Sequence, residues 1–448
     1  MKTKQITLKE YDSLFISKES IDEKRDDGNR AVSEHVFEEI ERFVLENTDI
    51  AQFLKPGYKK GLGKVLQAQN YIGVIQTKDG TTIEILPKLS NLKDIKDENG
   101  KTVKSKEERS REILLRMLKT LKNSPFKSLH KAHLKTTKMP LFEIFISMFL
   151  EELAMLIRKG IKSDYIAKED NLHFLKGKLK INEQIKYNYI HKERFFIAYD
   201  EYSSDRIENR LIKTALQYLY KKSKSSRNQQ RIREFLFVFD EVKPSKNFKT
   251  DFTKVKSNRQ MRDYEQVLLW CKTFLLGNSF SPYRGNSVAF ALLFDMNKLF
   301  ESYVYDYLRK KGKYDSITAQ DSGYHLAYLN GRDAKFRLKP DIVINKNKED
   351  KKTIIVDTKW KLLSEDFVHK GVSQSDMYQL FAYGTKYKNC QRMFLIYPLD
   401  KIQLTEGNCY QYYEENSNLQ LDIVFFDVVN DNTNQALSNT IFGLDNGE

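Results

Sequence analysis

Two apolar triplets, Ile342-Val343-Ile344 and Ile354-Ile355-Val356, each carry an aspartate at one end, Asp341 before the first and Asp357 after the second. Short β-branched runs bounded by polar segments read as buried strands, and Asn345 to Lys352 between them reads as a hairpin loop. Asp357 and Lys359 lie two apart, so both project from one face of their strand, with Cα atoms about 7 Å apart. Two carboxylates and a lysine on adjacent strands are the minimum needed to hold a divalent metal and a water against a phosphodiester. An unpaired carboxylate among such apolar neighbours is costly, which marks the pair out. The plainer reading stands beside it: Asp341 caps a strand end, and Asp357 pairs with Lys359 on an exposed edge.

Net charge is +15, divided as +4 over 1–130, +13 over 131–290 and −2 over 291–448. A basic middle beside a candidate phosphodiester site points to contact with a nucleic-acid backbone. For any single lysine, a solvated surface is the plainer explanation. Cys271, Cys390 and Cys409 are scattered without CxxC spacing and read as free thiols in a reducing, cytoplasmic setting. The start of the chain has no apolar signal segment, and Leu141 to Ile157 is broken by Glu143, Glu151 and Glu152, so no membrane association is expected.

The pattern along the chain predicts an α+β protein in three parts. Residues 1–130 mix a helix over Ala31 to Glu46 with strand-like runs at Gly63 to Ile75 and Thr81 to Leu86, joined through a turn at Lys78-Asp79-Gly80. Residues 91–108 are charged and apolar-poor and read as a flexible loop. Residues 131–286 form a mostly helical basic region, with helices at about 140–160, 206–223, 228–242 and 258–277 and an extended stretch from Tyr165 to Tyr199. Residues 287–448 carry an αβββαβ order: a helix from Met296, strands near 322–329, 335–344 and 353–360, a helix at 373–387 and a strand at 391–397.

Two further elements bear on the site. Glu301, on the helix opened by Met296-Asn297-Lys298-Leu299-Phe300, can face it as a third acid and metal ligand or be a solvated helix residue. Gln379 and Tyr383 share a helical face at i, i+4 and can hydrogen-bond a phosphate or a water, although Tyr383 also suits a half-buried core. The carbonyl of Thr358 is a further candidate ligand. Gly57-Tyr58-Lys59-Lys60-Gly61-Leu62-Gly63-Lys64-Val65 fails as a phosphate loop, because Val65 offers no hydroxyl. No nucleotide hydrolysis by this chain alone is expected. His130 and His133 lack the cysteine partners of a zinc site.

The set Asp341, Asp357, Lys359, Gln379 and Tyr383 resembles the PD-(D/E)xK nuclease superfamily, including the Q-x-x-x-Y element of its RecB-like branch. Over most of its length the chain is similar to the McrC family, the nuclease subunits of McrBC-type (5-methylcytosine-specific) restriction systems. That resemblance uses Ile83-Glu84-Ile85-Leu86-Pro87-Lys88, Leu141-Phe142-Glu143-Ile144-Phe145, Phe174-Leu175-Lys176-Gly177-Lys178-Leu179, Asp205 through Ile212 and Met296 through Glu301. It implies that Asp341 and Asp357 bind Mg²⁺, with Mn²⁺ as a substitute, and that Lys359 positions or activates the attacking water. It also implies double-stranded DNA as substrate and, as partner, a McrB-like hexameric AAA+ GTPase, on which the N-terminal part would dock. Pairing of whole complexes would supply two cuts. A stand-alone RecB-like repair nuclease and a non-catalytic adaptor of an AAA+ ring are the competing readings.

Overall fold

The computed structural model describes residues 5–16, 28–48, 52–89, 92–98, 100–122, 124–128, 138–255, 259–276, 288–312, 314–346, 352–361, 363, 368–399, 409–411 and 419–430. They form a mixed α+β protein with two compact units: one of 1–138 together with 284–448, the other of 139–283. No described helix is long and apolar enough to cross a membrane.

In the first unit, one four-stranded sheet runs Gln5–Lys9, Thr82–Leu86, Tyr71–Gln76, Phe290–Asp295. Its hairpin turns at Lys78-Asp79-Gly80 as the sequence predicts. Gly80 adopts φ +89°, and the Asp79 carboxylate accepts from the hydroxyls of Thr77 (2.6 Å) and Thr81 (3.0 Å). The run Gly63 to Ile75, expected as one strand, is two strands in different sheets. Gly63–Ala68 joins Arg30–Val32, Ser13–Ile16 and Leu54–Lys59, whereas Tyr71–Gln76 joins the first sheet. Strand Phe290–Asp295 shows no polar alternation because its first five residues are all buried. It passes so close to Gly73 (φ +139°) that a Cβ there would lie 2.0 Å from the Leu292 carbonyl oxygen.

Two corrections concern the N-terminal third. The segment expected as a loop over 91–108 contains the hairpin Ile95–Lys96 with Thr102–Lys104 and the start of helix Lys106–Leu118. That helix has a capping box: the Ser105 hydroxyl accepts from the Glu108 N–H, and the Glu108 carboxylate from the Ser105 N–H. The helix expected from Ala31 starts at Glu34, because Arg30–Val32 pairs in parallel with Leu14 to Ile16.

The C-terminal part of this unit is built from α1 (Met296–Lys311), β1 (Ile317–Ala319), β2 (His325–Leu329), β3 (Asp333–Arg337), β4 (Ile342–Ile344), β5 (Thr353–Thr358), α2 (Gln374–Lys386), β6 (Cys390–Pro398), β7 (Cys409–Gln411) and β8 (Gln420–Phe426). Six strands form one sheet in the order β1-β4-β5-β6-β8-β7, while β2 and β3 form a separate hairpin. The strand expected over 335–344 is thus broken into β3 and β4. Pro340, with no N–H to give a ladder, falls in the break.

The second unit holds helices Leu141–Lys159, Ile207–Lys222, Ser226–Val238, Phe248–Lys254 and Arg262–Leu276. The stretch expected to be extended over 165–199 forms most of strands Asp164–Leu172 and Phe195–Ser203, with helix Ile181–Asn188 between them. Strings that carried the family resemblance here do structural work. Glu143 is buried and accepts from the Ser223 hydroxyl (2.8 Å), the Asn228 amide (2.7 Å) and the Lys224 and Ser225 N–H groups. Gly177, at φ +74°, leaves room for the Ala198 carbonyl, which a Cβ would meet at 2.5 Å. Asp205 takes Arg210 bidentately, with both bonds at 2.8 Å.

Candidate active site

The antiparallel register pairs Ile342 with Val356, Val343 with Ile355 and Ile344 with Ile354. One step further along that register brings Asp341 opposite Asp357, so hairpin geometry alone sets two carboxylates side by side. β5 is flanked by β4 and β6, and the Asp357 side chain is 2% exposed, which rules out the exposed-edge reading.

Each carboxylate is held from one side. The Thr358 N–H (2.7 Å) and hydroxyl (2.8 Å) both donate to Asp341 Oδ2. Lys359 Nζ donates to Asp357 Oδ2 at 2.5 Å and stands 4.0 Å from Asp376 Oδ1. Asp357 Oδ1 is buried with no hydrogen-bond partner. A buried, unmatched carboxylate oxygen facing a second carboxylate is the donor set that a hard cation satisfies, so these residues fit a divalent metal.

The electrostatics follow from that crowding. Burial, then the neighbouring Glu301 carboxylate, push Asp341 up to about 6, and burial, then Asp341, push Asp357 up to about 7. Glu301 is also raised, by burial and by Asp357, against the Gln320 amide that donates to it at 3.2 Å. Burial alone would lower Lys359, but Asp357, Asp341 and Asp376 outweigh it and keep its ammonium charged. Tyr383 packs its ring into the domain core and accepts from the Gln379 amide at 2.6 Å, and its hydroxyl lies in the field of both aspartates. Asp341, Asp357, Thr358, Lys359, Glu301, Gln379 and Tyr383 are therefore brought together. Among the described residues, no three His, Cys, Asp or Glu side chains converge as a ready-made metal cage.

Three residues were not picked out from sequence. Asp376, in the first turn of α2, contributes a further acid. Gln320 holds Glu301. Trp360, directly after Lys359, donates its indole N–H to Glu10 at 2.9 Å, and its backbone N–H to the Asn297 side chain at 3.1 Å. Burial raises Glu10 to about 7, against the Lys88 N–H and the Trp360 indole. A buried Trp needs an acceptor, and this one ties the segment just after β5 to the N-terminal sheet.

These shifts have a testable consequence. Both aspartates are raised from an ordinary value of 3.8, so between pH 4 and 7 the folded chain binds more protons than the unfolded one. Their contribution to stability is full below that window and is lost as pH rises through 6 to 7. A cation binds the ionised pair, so added Mg²⁺ should raise the melting temperature more at pH 8 than at pH 6. Equal shifts at the two pH values, read by differential scanning fluorimetry, would contradict this.

Other expectations are placed as follows. Gly57 to Val65 forms an antiparallel hairpin (Leu54–Lys59 with Gly63–Ala68) and leads into a strand, not into the helix a phosphate loop requires. Cys271 and Cys390 are buried free thiols. His130, His133 and most of the loop from Asn345 to Lys352 lie outside the described residues, as does the Cys409 side chain.

A chain from a refined half-complex of the tetradecameric assembly of Thermococcus gammatolerans McrB AAA+ hexamers with bound McrC is similar in fold, with TM-score 0.69, 17% identity, and coverage of 98% of this chain and 100% of that one. The cryo-EM structure of the Thermococcus gammatolerans McrBC complex gives TM-score 0.49 at 18% identity, over 70% of this chain and 89% of that one. A search of curated proteins finds no match. The model of the McrBC 5-methylcytosine restriction system component family matches residues 66–398, and the chain belongs to that family.

Proposed function

We propose that this chain is the metal-dependent DNA endonuclease subunit of an McrBC-type restriction complex, with a PD-(D/E)xK site on β4 and β5. The observation that carries the reading is Asp357 Oδ1, buried without a partner beside Asp341 while Lys359 holds the other oxygen. Asp341 and Asp357, with the Thr358 carbonyl, would hold Mg²⁺, and Mn²⁺ could replace it. When bound, the ion supplies charge compensation on the scissile phosphate and help to the attacking water and the leaving oxygen.

The chain's own residues do the rest. Thr358 fixes Asp341 through two hydrogen bonds, so one ligand is oriented in advance. Lys359 is a cation at neutral pH, which suits it to orient the water and stabilise phosphate charge rather than to accept a proton. Tyr383 accepts from Gln379, leaving its own hydroxyl proton to donate to a phosphate oxygen. Glu301 would join the ligand set as its third acid, and its charge raises the affinity of Asp341 for positive charge.

The partner would be a McrB-like hexameric AAA+ GTPase, engaged through the N-terminal part and stimulated by this chain. Family membership and the fold shared with the McrB–McrC half-complex support that reading. The purified chain with plasmid DNA and Mg²⁺, with and without the ring and GTP, tests it. Cleavage is expected only in the full mixture. Efficient cleavage by the chain alone would favour a stand-alone nuclease.

A further inference from the structure

The hairpin β2–β3 is inserted between the edge strand β1 and the Asp341 strand, and the pairing of the six-stranded sheet does not need it. Its base is anchored: Leu338 N–H donates to the Tyr324 carbonyl at 2.9 Å, Leu338 is buried, and Tyr324 packs on Tyr387 with centroids 4.6 Å apart. Beyond the base, nine of its ten strand residues are exposed. A lone two-stranded hairpin is marginal in water, so such a ribbon gains its order from something laid against it.

Register sorts its side chains. His325 pairs with Arg337, Ala327 with Lys335 and Leu329 with Asp333, which places His325, Lys335 and Arg337 on one face with the acid Asp333 at its tip end. The other face carries Tyr328, 62% exposed, opposite Ala334. Phe336 is 75% exposed and holds φ +54°, a strained conformation for an aromatic residue. From Arg332 to Lys339 there are four cations (Arg332, Lys335, Arg337, Lys339) and one acid (Asp333). Lys339 already lies in the field of Glu301, so this charge is continuous with the site.

We infer that β2–β3 is a DNA-gripping ribbon whose basic face lies on the phosphate backbone of duplex DNA beside the phosphodiester held at Asp341 and Asp357. The inference rests on the nuclease reading above and adds the surface that positions its substrate. Charge complementarity and chain continuity with Asp341 favour duplex DNA over a protein occupant. A major groove also admits a two-stranded ribbon of this width.

The test is fluorescence anisotropy of a short labelled duplex with the full chain in chelator, where no cleavage occurs, over a series of salt concentrations. Lys335→Ala/Arg337→Ala should weaken binding about tenfold or more and reduce the log K against log salt slope by roughly 2, for two lost phosphate contacts. Lys335→Arg/Arg337→Lys should restore both. Unchanged affinity and slope in the alanine variant overturn the proposal. So does a Tyr328→Ala/Phe336→Ala variant that keeps DNA binding but loses the AAA+ ring or a second copy, together with an alanine variant of normal salt slope. Duplex binding through the ribbon with no cleavage even when the AAA+ ring, GTP and Mg²⁺ are all present would instead remove the nuclease reading and leave the ribbon standing.

Discussion

Asp357→Asn should abolish DNA cleavage, by at least about a thousandfold, while leaving the metal-free chain as stable as the parent or more so. The two halves come from one observation. Asp357 is buried, faces Asp341 across the register, and leaves one oxygen unmatched, so its charge is a cost that the single Lys359 contact only partly offsets. Asparagine keeps the shape and an acceptor for Lys359 but removes the buried charge that Asp341 opposes. A buried acid kept for the fold would behave oppositely, since its loss would destabilise. Denaturant unfolding beside a plasmid assay separates the cases, and a variant that is markedly less stable yet still cuts would refute the assignment.

Arg111→Ala should destabilise the first unit by about 3–5 kcal/mol, the largest stability effect expected of any single exchange discussed here. Glu84 is 1% exposed and accepts from Arg111 Nε at 2.7 Å and Nη2 at 2.8 Å; the Gln5 amide and the Thr7 hydroxyl also donate to it, each at 3.4 Å. Removing the guanidinium strands a carboxylate between the N-terminal sheet and helix Lys106–Leu118. Replacing both partners, as in Glu84→Leu/Arg111→Met, should recover most of the loss, because no charge is then left buried. Unfolding of the single and double variants in denaturant reads this directly. An Arg111→Ala chain as stable as the parent would mean that the pair is solvated in solution.

The same pair shows what a sequence string can and cannot say. Glu84 and Glu143 lie in strings that carried the family resemblance, yet one is locked to an arginine and the other to a helix start. Neither string distinguishes a structural acid from a catalytic one; only the partner does, and the partner is distant in sequence. Asp341, Asp357 and Lys359 were legible because hairpin register and strand periodicity are local rules. Their unmatched oxygen was not, since it depends on every neighbour of β5.

Elements followed the same division. Amphipathic helices such as Ile207–Lys222 were visible because a 3.6-residue period needs no partner to be read. Phe290–Asp295 was hidden because a doubly buried strand has no alternation, and Gly63 to Ile75 because continuous β character does not reveal a change of sheet. Two signals were present and unused: Ser105 with Glu108 as a capping box, and Asn330-Gly331 at the tip of β2–β3, where both residues have positive φ (51° and 70°). The Glu10–Trp360 tie spans most of the chain, and no local rule could have found it.

The most direct measurement is plasmid cleavage by the chain with its AAA+ ring, GTP and Mg²⁺, comparing the parent with Asp357→Ala and Lys359→Ala. Expected is cutting by the parent that chelator abolishes, and none by either variant, although both still associate with the ring and stimulate its GTP hydrolysis. Cleavage that persists in both variants would place the chemistry elsewhere.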